Sequence, residues 1–152
     1  MPLLSLVFAF QLTTNTFKPN ATVPHSMVAK DCGGENISPD LQWSGAPKGT
    51  KSFALVVHDP DAPRPGGFYH WVIQSIAPQV SAIEAGTTKY RGYYGPCPPP
   101  GNVHHYHFTL YALDEAIESR EALDAPRLLE RIKGHVLGQT TLTGLYEITS
   151  PR

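Results

Sequence analysis

The sequence predicts a mainly β protein, an antiparallel β-sandwich with peripheral C-terminal helices. Short runs rich in aromatic and β-branched residues alternate with irregular loops, and 15 prolines and 13 glycines in 152 residues supply frequent turns. Helix signals are confined to the last third, and no strand–helix–strand alternation occupies the middle of the chain, which argues against a parallel sheet.

The elements follow in order. Leu3 to Phe10 is apolar, so residues 1–10 read either as the remnant of a secretion signal or as a first strand. The first reading puts the protein in the periplasm or outside the cell, the second in the cytoplasm. The stretch is too short to span a bilayer. Residues 11–152 are expected to form one domain, long enough to bury a substantial core. Leu12 to Thr16 and Leu41 to Trp43 are short strand candidates. Lys51 to His58 (KSFALVVH) reads as a buried strand bounded by Pro47-Lys48-Gly49 and Asp59-Pro60. His70 to Ile76 (HWVIQSI) and His104 to Leu113 (HHYHFTLYAL) read the same way. A helical turn is expected over Asp114 to Ser119. Beyond it, Asp124-Ala125-Pro126 offers a cap and an early proline, Leu128, Leu129 and Ile132 a helical stripe, and Gly134 a stop. Thr140 to Ile148 is the last strand candidate.

Charge excludes some function classes. Twelve basic against 13 acidic side chains give a net charge of -1, with no basic run for nucleic acid and no amphipathic basic helix for a bilayer. Cys32 and Cys97 are too few for a disulfide scaffold and lack CxxC spacing, which leaves a single bridge between them open.

Chemistry concentrates at the corner DPDAPRPGGFYHW, residues 59–71. Phe53, Leu55 and Val57 share one strand face, and Asp59 and Asp61 continue that parity. Pro60 and Pro63 disfavour helical geometry at Asp59 and Ala62, so an extended path is expected to keep both carboxylates on the core side. The alternative is a proline-rich turn in which aspartate accepts from backbone N–H groups. In the strand from His104, the residues His104, Tyr106, Phe108, Leu110 and Ala112 share a face, which places His104 and Tyr106 at its mouth end. Just before it, YGPCPPPG, residues 94–101, is a stiff loop whose glycines permit close backbone approach to a ligand. Trp43, Trp71, Phe108 and Leu110 read as core, and His25, His58 and His135 as locally hydrogen-bonded residues.

The segments CGGENISP at residues 32–39, DPDAP at 59–63, His70-Trp71-Val72, and GPCPPPG followed by HHYHFTLYAL together resemble the phosphatidylethanolamine-binding protein family in its prokaryotic, Raf-kinase-inhibitor-like branch. The resemblance runs from about Leu12 to the C-terminal helix and strand. It implies a small phosphate or anion pocket at one edge of a β-sandwich, formed by Asp59, Asp61, Pro63, His70, Gly95, Pro96, His104 and Tyr106. His105 stands where the family usually has arginine. The family implies binding without a common reaction, so no catalytic residue, metal or cofactor is assigned, while a kinase or protease partner and a homodimer are implied by analogy. The expected division of labour sets protonated His70 and His104, the Tyr106 hydroxyl and backbone N–H groups at Gly95 against the anion, and leaves Asp59 and Asp61 to orient the imidazoles or to accept from a ligand ammonium or hydroxyl. Binding is then expected to tighten as pH falls from about 7.5 toward about 6. The rival reading is a hydrolase using the same Asp and His residues with a metal or as an acid–base pair.

Overall fold

In a computed structural model, which describes residues 8–118 and 120–149, all strand pairing is antiparallel apart from one isolated parallel bridge, Thr22 to Leu145. A three-stranded sheet has the order β1 (Gln11–Thr13), β2 (Leu41–Ser44), β5 (Ala82–Ile83). A four-stranded sheet has the order β4 (Phe68–Ile76), β3 (Ser52–Asp59), β6 (His104–Leu113), β7 (Val136–Tyr146). Residues 1–7, most of the apolar N-terminal stretch, lie outside the described residues, and Phe8 to Phe10 precede β1 without strand pairing.

Side-chain alternation builds two cores. Odd-numbered Phe53, Leu55 and Val57 of β3 and even-numbered Phe108 and Leu110 of β6 face the small sheet and close on Leu12, Leu41 and Trp43. Ala54 and Val56 face the other way, into a second cluster with Leu113, Ile117, Ala125, Leu128 and Ile132. β3 is therefore buried on both faces, which is why its central run from Phe53 to Val57 is apolar rather than alternating.

The helix that covers the second cluster is α1 (Ala125–Arg131). Asp124 caps it by accepting the Arg127 N–H at 3.0 Å, and burying Leu128 contributes roughly 1.5–3 kcal/mol. The helical turn expected over Asp114 to Ser119 does not form in its described part. The Asp114 N–H donates to the His135 carbonyl, and the Glu115 carbonyl accepts from the Ser52 hydroxyl, so these backbone groups bond outside the segment. Ile117 is drawn into the second core. Ser119 lies outside the described residues.

Two short 3₁₀ turns, His25–Met27 and Lys30–Cys32, went unread in the sequence. They place the CGGEN segment against the loop that precedes β6, as the hydrogen bond from Ala29 N–H to the Pro96 carbonyl shows.

Candidate functional site

At one end of the large sheet, three strand ends and a loop enclose a cavity of about 320 Å³, at the small end of the range for small-molecule sites. β3 contributes Asp59, and the corner after it contributes Ala62, Pro63 and Arg64. Phe68 and His70 come from β4, Tyr94, Cys97, Pro98 and Pro99 from the loop, and His104 and Tyr106 from β6.

Asp59 fulfils both readings of its turn at once. One carboxylate oxygen accepts the Asp61 N–H at 2.8 Å and so holds the corner. The other accepts from His104 Nδ1 at 2.6 Å, between side chains only 3% and 4% exposed. This bond fixes the orientation of the imidazole. Return of the chain from the corner to β4 depends on Gly67, whose φ is +72° and where a Cβ would lie 2.3 Å from the Asp59 carbonyl.

His70 reaches the cavity by an irregularity in pairing. Val57 pairs with Trp71 and His58 with Tyr69, so His70 is the extra residue of a β-bulge. Both His70 and Trp71 are thereby buried, although strict alternation would put neighbours on opposite faces. The His70 ring packs edge-on against Tyr106 at 5.1 Å and donates Nδ1–H to the Tyr94 carbonyl at 2.7 Å. Burial holds His70 below the ordinary imidazole value of 6.5, although the Tyr94 carbonyl and Asp59 act to raise it.

The Tyr106 hydroxyl is fully buried and has no hydrogen-bond partner among the described residues. Burial, reinforced by Asp59 and Asp61, pushes its titration upward, so the phenol keeps its proton as a donor.

The loop wall is set from behind. Asn36, in the left-handed region at φ 55°, accepts the Gly95 N–H at 2.7 Å and donates to the Tyr93 carbonyl at 3.1 Å. A disulfide joins Cys97 to Cys32. Gly95 has no room for a side chain, since a Cβ there would lie 1.9 Å from the Met27 carbonyl.

Several expectations therefore change. Asp61 does not line the cavity. The chain turns after Asp59, and the exposed Asp61 carboxylate accepts from the His105 N–H and Nδ1, both at 2.8 Å. Although partial burial acts the other way, these bonds to His105 hold Asp61 below the usual carboxylate range. The Gly95 N–H is taken by Asn36 and does not face a ligand, and the Pro96 carbonyl accepts from Ala29. Neither Gly95 nor Pro96 lines the cavity; Tyr94, Cys97 and two prolines do. Pro63, His70, His104 and Tyr106 do line it. The sequence reading did not single out Arg64, Phe68 or Asn36, although the first two stand inside the quoted corner and the third inside CGGENISP.

This architecture is shared with known proteins. The profile of the phosphatidylethanolamine-binding protein family matches residues 13–147. The chain belongs to the phosphatidylethanolamine-binding protein family. A UPF0098 protein of the archaeon Methanothermobacter thermautotrophicus is 40% identical, over 89% of this chain and 97% of its own. The crystal structure of Escherichia coli YbcL, itself described as a member of the PEBP family, superposes with a TM-score of 0.85 at 33% identity, covering 92% of this chain and 99% of YbcL. A Chlamydia trachomatis homologue superposes with a TM-score of 0.82 at 34% identity, covering 92% and 98%. Within the phosphatidylethanolamine-binding protein family frame, both acids of the DPDAP corner are imidazole partners: Asp59 holds His104 inside the cavity, and Asp61 holds His105 outside it.

Proposed function

We propose that the cavity binds a small ligand carrying a phosphate or similar oxyanion, with the Tyr106 hydroxyl, His70 and His104 as its polar floor. Membership of the family supports a ligand-binding protein. The observation that carries the finer reading is the Tyr106 hydroxyl, a buried donor without a partner among the described residues, in a residue that lines the cavity beside two imidazoles. An unmatched buried donor costs about 1–3 kcal/mol, which a ligand oxygen would recover.

Both acids already have protein partners. Asp59 spends one oxygen on the Asp61 N–H and the other on His104, and Asp61 lies outside the cavity. The test is calorimetric titration of inorganic phosphate and phosphoethanolamine into wild-type protein and Tyr106→Phe. The expected result is at least about fivefold weaker binding in the variant, corresponding to one lost hydrogen bond, with folding stability unchanged or raised. Equal affinities would remove the reading.

The buried Asp59–His104 pair also has the geometry of a base held by an orienting carboxylate, which favours the hydrolase alternative. Turnover of phosphate esters that is lost in Asp59→Asn would support it; binding without turnover would not.

A further inference from the structure

An oxyanion entering this cavity needs positive charge, and the imidazoles are poorly placed to supply it at neutral pH. His104 is held by the Asp59 carboxylate, so even as a cation it only balances that charge. His70 is buried, and its Nδ1 donates to the Tyr94 carbonyl. Tyr94 and Tyr106 are neutral phenols, and Tyr94 already faces Asp31, to which its hydroxyl donates. Among the described residues that line the cavity, the one permanent cation is Arg64.

Its setting is specific. The guanidinium carbon lies 5.1 Å from the centroid of the Phe68 ring, and no carboxylate of the described residues forms an ion pair with it. Phe68 packs edge-on against His70 at 4.6 Å and tilts against Tyr94 at 5.9 Å, so the post under the guanidinium stands on the cavity's own aromatic wall. The backbone beneath is pinned, with Arg64 N–H donating to the Ala62 carbonyl and the Arg64 carbonyl accepting from Gly67.

We infer that Arg64 is the specificity-determining cation of the cavity, selecting ligands that present an oxyanion at its mouth, with Phe68 as the support that holds the guanidinium there. This rests on the ligand class proposed above and adds the residue that sets it. A guanidinium suits the position because its planar fork meets two oxyanion oxygens at once, stacks on an aromatic face and is weakly hydrated. A guanidinium keeps its charge where an imidazole gains one only on the acid side.

The test is titration of wild-type protein and the variants Arg64→Gln, Arg64→Lys and Phe68→Leu with inorganic phosphate and phosphoethanolamine. The same proteins are also assayed for co-sedimentation with phosphatidylcholine vesicles, with and without phosphatidylethanolamine. At pH 8, R64Q should bind about tenfold more weakly or worse, R64K should recover only part of the loss, and F68L should lie between R64Q and wild type. Thermal unfolding of R64Q should match wild type, because the side chain is exposed. Loss shared by the vesicle arm assigns the oxyanion to a lipid head group, and loss confined to soluble probes assigns it to a free phosphate compound; either supports the role of Arg64. R64Q binding within twofold of wild type for every probe that wild type binds overturns the assignment and leaves the ligand class standing. Wild-type protein that binds none of the probes overturns both.

Discussion

Replacing Cys32 and Cys97 together by serine removes the covalent tie between the CGGEN segment and the cavity loop, and the structure sets the size of the effect. The two Cα atoms lie 5.6 Å apart, within the usual span of a disulfide, and the bridge joins positions 65 residues apart. Closing a loop of that length removes chain entropy from the unfolded state worth about 4 kcal/mol. For a domain of this size such a loss corresponds to a fall of roughly 10 °C in the unfolding midpoint. The double variant leaves no lone thiol, so circular-dichroism melts of the two proteins compare folding alone. Oxyanion binding should weaken as well, because Cys97 lines the cavity beside Pro98 and Pro99 and loses its anchor. Midpoints within about 2 °C of each other would refute the reasoning. So would two reactive thiols per chain in denatured, unreduced wild-type protein.

Three further outcomes are expected. Asp59→Ala leaves His104 buried without its partner and frees the Asp61 N–H, and should cost about 3–5 kcal/mol in urea unfolding; a cost below about 1 kcal/mol would contradict the pairing. Because burial depresses His70 in the folded state, protons bind the unfolded chain preferentially below the ordinary value of 6.5. Its contribution is therefore neutral above that pH, and stability declines as pH falls from about 6.5 toward the depressed folded value; this decline should shrink in His70→Gln, measured as unfolding free energy against pH. Gly95→Ala places a Cβ 1.9 Å from the Met27 carbonyl, so the loop must move; a loss of at least about 2 kcal/mol and weaker phosphate binding are expected, and unchanged values of both would show that the wall has slack.

The sequence by itself determined the longer strands, because burial leaves a direct trace in residue type, whereas the two-residue β5 carried no such trace. HHYHFTLYAL is β6 from end to end, and the alternation of His104, Tyr106 and Phe108 against His105 and His107 is the alternation of buried and more exposed positions. The apolar run of β3 anticipated a buried strand, and Asp124 with Pro126 anticipated the start of α1. Other features were decided by tertiary contacts that leave no local trace. Asp61 keeps the parity of Asp59 in the sequence, but the corner turns immediately after β3 and His105 captures the second carboxylate outside the cavity. Gly95 reads as a donor within a glycine–proline loop, yet Asn36, 59 positions away, takes its N–H. His70 stands next to core Trp71, and alternation alone would send its ring to the opposite face. The bulge between β3 and β4 turns it inward, because packing the ring on Tyr106 and bonding it to the Tyr94 carbonyl depend on residues that approach only when the sheet and the loop close together.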